Sequence, residues 1–376
     1  MKILFISMPS IHAIRWIENL QDSAHELFWF DVTNRGRIII SDEVKQFTGV
    51  LTRKRKPIKG EFTLSKHFPA IYSLFRSFIE VTENEALENI IRQVRPDIIH
   101  SFEMQTCSYP ILHTMNRHPE IKWIYSCWGS DLFYYKDIPS HKLKIREVLK
   151  RVNLIHTDCR RDFEIAKELG FTGKHTGVIP GGTGYRISDF RHLRMPISQR
   201  RIILVKGYQH KFGRALNVVK ALESISSQLH GYEVICFGTH QSVIDYIQQK
   251  TLPFKTFSRH ELTHDGLMEL MGKSHIYIGN SITDGIPNTL LEAMVMGAFP
   301  IQSNPGNVTS EIITDRQTGC LISDPDDVDK IADTIVAALS DFNLMHHASD
   351  ANFKWADENL EYELNRKKVI KIYETP

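Results

Sequence analysis

The sequence predicts an α/β protein built of two Rossmann-like, doubly wound domains facing a cleft. Short apolar runs alternate with helical patterns along the whole chain. The runs are continuously apolar, as strands buried on both faces of a parallel sheet are. A stretch rich in glycine and charge, residues 180–201, divides the chain near its middle. At 376 residues the chain is also too long for one modest core, so two domains are the natural expectation.

The elements follow in order. "KILFIS" opens the chain as a strand, a helix runs through residues 14–20, and "LFWFDV" is the next strand. "DIIHSF", "WIYSCWG", "NLIHTD" and "HTGVIPGG" continue the first sheet, with helical stretches between several of them. The second half repeats the style in "IILVKG", "YEVICFG", "KTFS", "IYIGN", "FPIQS" and "CLIS". This predicts one domain over 1–185 and a second over 195–354. The amphipathic tail, 355–376, is expected as a helix packing back on the first domain. Ligands of such sheets bind at the carboxyl ends of the strands, where loops and helix N-termini converge.

Composition excludes several classes. A 42% hydrophobic and 24% charged chain is that of an ordinary globular protein, and a net charge of +2 gives no general case for nucleic acid. Cys107, Cys127, Cys159, Cys236 and Cys320 form no CxxC pair, which fits a reducing cytosol and argues against a disulfide scaffold or zinc site. "MKILFISMPS" reads as a strand, not a signal peptide, and no run approaches the ~20 apolar residues of a membrane span. A cytoplasmic protein is expected, peripheral at most on the inner face of a membrane. A dinucleotide-dependent dehydrogenase is disfavoured, because neither "SMPSIHAIR" nor "GYQHKFGRA" supplies GxGxxG.

The chemistry concentrates in "DGIPNTLLEAMVMG", residues 284–297. Pro287 and Gly297 punctuate a helix from about Asn288 to Met296, after a loop that carries Asp284. Asp284 and Glu292 then stand roughly 10 Å apart across a loop and one helical turn. That matches the reach from a sugar ring to a ribose across a diphosphate. A structural alternative competes: Thr289 and Glu292 form a T-x-x-E capping box, and Asp284-Gly285 is ordinary turn chemistry.

From His264 onward the sequence closely resembles the donor-side region of the GT-B retaining glycosyltransferases of family 4. That family carries Glu-x7-Glu followed by Ala-Met and a nearby Gly-x-Pro. Here the pattern reads Asp284-x7-Glu292, then "EAM" and "GAFPI", with "SEIITDRQTGCLI" continuing the likeness. The resemblance implies that Glu292 binds the donor ribose and Asp284 the donor sugar, the shorter Asp being a departure. Gly285, Asn288, Thr289 and Gly207 would complete the donor site. In "VKGYQHKFGRAL", Tyr208 stands where the family commonly has Arg, so Lys211 and Arg214 are the expected diphosphate cations. Lys206 reads as a solvated loop charge.

The first domain resembles the family more loosely and is expected to take the acceptor. "SIHAIRWIENL" offers Ser10, His12 and Arg15, although a helix cap and a surface charge explain two of them. "YSCWGSDL" matches the family's "vHGSD" with Trp128 in place of His and Asp131 retained, and His100 and Glu103 end another strand. "SDPDD" near Asp324 reads as a helix cap.

The resemblance implies a metal-independent, hexosyltransferase-like enzyme with no cofactor, using a UDP- or GDP-linked sugar as co-substrate. Transfer would retain anomeric configuration, toward a cell-surface glycan or lipid-linked precursor in polysaccharide or lipopolysaccharide biosynthesis. A degenerate GT-B subunit without turnover and a GT-B sugar epimerase are the rivals. Arg53, Lys54, Arg55, Lys56 and Lys59 precede an aromatic, amphipathic stretch with Phe68, Tyr72, Phe75 and Phe78. That pairing suits an anionic membrane surface, against the alternative of a solvated loop and a core-facing helix.

Overall fold

A computed structural model describes residues 1–56, 60–181 and 183–374. The chain forms two compact units. Unit 1 comprises Met1–Thr157, Asp162–Val178 and Val369–Pro376; unit 2 comprises Asp158–Arg161 and Ile179–Lys368.

Unit 1 holds a parallel sheet of β1 (Lys2–Ser7), β2 (Glu26–Asp31), β3 (Lys45–Phe47), β4 (Ile98–Phe102), β5 (Lys122–Cys127), β6 (Leu154–Thr157) and β7 (Lys174–Val178). Their spatial order is β3-β2-β1-β4-β5-β6-β7. The direction of winding therefore reverses between β1 and β4, the switch point at which such sheets present ligands. All five residues of β4 are buried, as a central strand covered on both faces must be. Trp16, Trp29 and Trp123 fill the interior on either side.

Unit 2 repeats the topology with β8 (Ile202–Lys206), β9 (Glu233–Thr239), β10 (Lys255–Ser258), β11 (Ser274–Gly279), β12 (Phe299–Ser303) and β13 (Cys320–Ile322). Their order β10-β9-β8-β11-β12-β13 puts the switch point between β8 and β11. Every residue of β11 and of β12 is buried.

The boundary between the units falls at Val178 and Ile179, at the start of the dividing stretch, whose described residues follow it. They belong to unit 2, with a short helix at Ile187–Phe190, and buried Arg200 donates to the carbonyls of Met195 and Ser274. The tail is also more divided than the single helix expected from 355. One helix spans Phe342–Asn359 and another Tyr362–Glu374. Between them the main chain of Leu360 and Tyr362 pairs with Tyr185, which breaks the helix, and only Val369 onward joins unit 1. There Tyr373 is buried and receives a hydrogen bond from Trp16 Nε1 at 2.7 Å. All five cysteines are buried. Among the described residues no helix is long and apolar enough to cross a membrane.

Candidate functional site

In unit 2 the loops after β8 and β11 are stitched together at the switch point. Arg214 N donates to Asn280 O, and Ile282 N donates to Phe212 O. Gly207 opens the first loop where a Cβ would lie 2.6 Å from Thr239 Cα, so only glycine lets the β8 loop pass the end of β9.

The second loop leads to the helix Asn288–Met296, whose C-cap Gly297 adopts φ 70°. No capping box forms. Pro287 occupies the N-cap, the Thr289 hydroxyl pairs with Tyr277 OH at 2.8 Å, and Glu292 turns elsewhere. Glu292 is 4% exposed, and its Oε1 lies 2.9 Å from His264 Nε2. His264 begins another helix, His264–Lys273.

Asp284 is half-buried, with Oδ1 accepting from Gly285 N at 3.0 Å and Oδ2 lying 4.0 Å from Lys206 Nζ. Lys206 is thus no solvated loop charge: it ends β8 with a side chain only 19% exposed, its ammonium 4.9 Å from the Tyr208 ring centre. Arg161 braces the same loop, its guanidinium donating to the carbonyls of Asp284 and Pro305, each at 2.7 Å.

Arg214, expected on the diphosphate, instead pairs through Nε with Asp326 at 2.8 Å and donates to the carbonyls of His210, Lys211 and Gly213. The Lys211 ammonium lies 5.2 Å from the Phe212 ring centre. Beside Tyr208 stand His210 and His240, their rings 5.5 Å apart. Burial, the His240 ring and the Lys206 charge hold His210 below the usual imidazole range. Asn288 faces Gly181, where a Cβ would meet its Oδ1 at 3.0 Å. Asp327 of the "SDPDD" segment caps the helix Val328–Leu339.

In unit 1 a second set of polar groups gathers at the carboxyl ends of β1, β4 and β5. Ser10 caps the helix Ile11–Glu18, accepting from His12 N at 3.2 Å. The exposed His12 lies 5.4 Å from the Trp128 ring, and Arg15 is half-buried on that helix. His100 is fully buried: Nδ1 pairs with Tyr373 OH at 2.5 Å and Nε2 with Ser126 Oγ at 2.7 Å. Burial and the neighbouring His156 hold it well below the usual imidazole range.

Asp131 is enclosed and saturated by donors. Its Oδ2 accepts from Tyr125 OH at 2.6 Å and Met104 N at 3.1 Å. Its Oδ1 accepts from Trp128 N at 3.0 Å and Cys127 Sγ at 3.2 Å. Glu103, immediately after β4, receives Gln105 N and Thr106 N on its carboxyl. Burial, then the Asp131 charge, push Glu103 up to about 7, and burial pushes Asp131 up to about 6.

Lys206, His264 and Arg161 were not assigned to the site by sequence reasoning. Lys206 carried a usable signal, since it is the last residue of an apolar strand. His264 and Arg161 meet their partners across 28 and 123 residues, with no local pattern to mark them.

Comparison with known proteins bears on these two sites. A family model described as glycosyl transferases group 1 matches residues 195–355, and one described as glycosyl transferase 4-like matches residues 2–159. Sucrose-phosphate synthase from Thermosynechococcus elongatus is similar in structure, with a TM-score of 0.73 at 14% identity over 100% of this chain and 98% of that one. A glycosyltransferase from Rickettsia africae ESF-5 gives 0.65 at 16% identity, over 99% and 97% of the two chains. HepE from Anabaena, in complex with UDP and glucose, gives 0.66 at 13% identity, over 100% and 99%. At such identities these structures speak for the fold. A search of curated protein sequences finds no match. With one family model on each unit and the switch-point topology in both sheets, the chain belongs to the GT-B glycosyltransferases, in their family-4-like group.

Proposed function

We propose that unit 2 binds a UDP- or GDP-linked sugar and that the protein transfers this sugar, with retention of configuration, to a glycan or lipid-linked acceptor bound by unit 1. The observation that carries the donor half is the buried Glu292. A carboxylate removed from water needs strong partners, and this one has His264 and no helix-capping role. It suits a ribose diol, which would donate to it. Asp284 would hold the donor sugar. Lys206 beside it would offset charge on the diphosphate, together with the start of the helix Asn288–Met296. Lys211 would assist, and Arg214 would set the loop through Asp326. This reading uses no resident cofactor or metal; the nucleotide sugar is a co-substrate. HepE in complex with UDP and glucose makes UDP-linked sugars the first donors to try.

The acceptor is proposed to be a cell-surface polysaccharide or lipopolysaccharide precursor, met by a cytoplasmic protein on the inner face of the membrane. Phe62, Phe68, Ile71, Phe75 and Phe78 are all exposed on the helices Glu61–His67 and Pro69–Ile79 and at their junction, and Arg55 and Lys56, earlier in the chain, are exposed too, Arg55 N meeting Ile79 O at the end of the second helix. Apolar side chains beside cations suit an anionic leaflet. Thermal-shift screening with UDP-, GDP- and dTDP-sugars, followed by calorimetry on the best ligand, tests the donor half. A protein that binds none of them ends the transferase reading.

A further inference from the structure

Glu103 combines three uncommon features at one position. It follows β4 directly, at the switch point of the unit 1 sheet. Its backbone adopts φ 69° and ψ 145°, close to a region that only glycine occupies without strain. A π-helical turn, Met104–Ser108, begins at the next residue, and such turns gather at functional sites. A glutamate kept in a glycine conformation needs a reason beyond the main chain.

Turn capping is an incomplete reason. The carboxyl does accept from the amides of Gln105 and Thr106 and bonds the Thr106 side chain, contacts that offset only part of the upper range of such a backbone cost. Those bonds also aim the carboxyl, and a carboxylate's roughly four acceptor sites still leave room for another donor. Its neighbour Asp131 has no such capacity, being enclosed and met by four donors. Glu103 is the member of the pair that keeps some exposure to solvent.

We propose that Glu103 is a sugar-binding residue of unit 1, its carboxyl accepting a hydrogen bond from a hydroxyl of the acceptor. This deepens the transferase reading and rests on it for the word acceptor. The geometry itself requires only a polyhydroxylated ligand: a carboxyl fixed by two amides gives a directional partner for one hydroxyl, and the Trp128 ring, just after β5, lies 6.2 Å from the ring of Phe102, the residue before Glu103.

The test compares wild type with Glu103→Gln, Glu103→Ala and Glu103→Gly. Binding of methyl glycosides of glucose, galactose, mannose and N-acetylglucosamine is read by saturation-transfer NMR without any donor. UDP binding is read separately by calorimetry. At least one glycoside should bind wild type and lose roughly tenfold in affinity in Gln and Ala, while UDP affinity stays within twofold. The Gly variant should melt several degrees above the Ala variant, because both lose the carboxyl and only Gly relaxes the backbone. Glycoside binding indifferent to Glu103, no glycoside bound by wild type, or a Gly variant no more stable than Ala overturns the proposal. Loss of UDP binding in every protein, with Glu103-dependent glycoside binding intact, overturns the donor reading and leaves this one standing.

Discussion

His264 Nε2 lies 2.9 Å from Glu292 Oε1, and the pair joins the start of one helix to the middle of another that is separate in sequence. Glu292 is almost fully buried, whereas the His264 side chain is 37% exposed. His264 can therefore hold the carboxylate in place while remaining near solvent. Glu292→Gln should weaken UDP binding, and His264→Ala should do so by about tenfold, the low end for a hydrogen bond to a charged group given that exposure. Calorimetry with UDP checks both. Unchanged affinity in Glu292→Gln, with the fold intact, would assign Glu292 a purely structural role.

Lys206 and Asp284 face each other at 4.0 Å across the unit 2 switch point. Replacing Lys206 with Ala should lower turnover ~10²–10³-fold if its charge stabilises the departing diphosphate. Stability should change by no more than about 1 kcal/mol, since a partly exposed pair at this distance contributes little to folding. Asp284→Asn should spare UDP binding and lower transfer, its partner being the sugar. Initial rates and UDP calorimetry on the same preparations separate the two roles. Equal rates in Lys206→Ala and wild type would leave the phosphates to backbone amides.

Much of the fold was legible because its signals are local. Continuous apolar runs marked twelve of the strands, and Pro287 and Gly297 marked the two ends of the helix Asn288–Met296. β3 was missed: Lys45–Phe47 is three residues long, edge-placed and only partly buried, so it carries no apolar run. The placement of Asp284 in a loop and of Glu292 on the helix after it was legible, because both follow from the local sequence. It was obscured where contacts are distant, as in Arg214 with Asp326, 112 residues apart. The alternative offered by the T-x-x-E spacing fails for a physical reason: with Pro287 at the N-cap, Thr289 lies inside the helix and bonds Tyr277.

Gly207 tests whether loop placement matters as much as side-chain chemistry. A methyl group there would lie 2.6 Å from Thr239 Cα and 2.8 Å from its Oγ1, so backbone must shift. Gly207→Ala should cost about 1–3 kcal/mol, the range for overpacking. Thermal denaturation should show a lower Tm, and UDP affinity should fall as the loop moves off β9. Wild-type values for both would mean the strand end yields freely.

Stability should depend on pH through Glu103 and Asp131. Both carboxyls are raised in the folded protein, to about 7 and about 6, so the folded state holds protons that the unfolded state has released. Their contribution is complete below the ordinary carboxylate range and is lost as pH rises through about 7. Asp131, Cys107 and Tyr109 face Glu103, while Tyr125, Cys127 and Asp162 face Asp131. Buried His100, held neutral, acts in the opposite sense at low pH, so the informative quantity is a difference between variants. Glu103→Gln should gain on wild type in Tm as pH rises from about 5 to about 8. A parallel pair of profiles would show that Glu103 titrates as an ordinary carboxylate.

The last prediction concerns the membrane face. Of the five cations expected there, Lys59 lies outside the described residues, and two are already matched. Arg53 makes paired bonds to Glu61, both at 2.8 Å, and Lys54 meets Glu85 at 2.6 Å. Tyr72, expected on the apolar face, instead hydrogen-bonds to Glu61 and Glu80. What remains exposed is Arg55 and Lys56 together with Phe62, Phe68, Phe75 and Phe78, Phe62 being 78% and Phe78 64% exposed. At about 1 kcal/mol per cation near an anionic leaflet, two charges alone bind weakly, so the aromatic side chains must add burial. Liposome co-sedimentation should therefore require anionic lipid, weaken with salt, and drop sharply when Phe62 and Phe78 become Ser. Arg55→Gln with Lys56→Gln should cost more than Arg53→Gln with Lys54→Gln, because the latter pair is neutralised by Glu61 and Glu85. Wild-type protein that stays in the supernatant at low salt would turn the apolar helices over to a protein partner or a soluble acceptor.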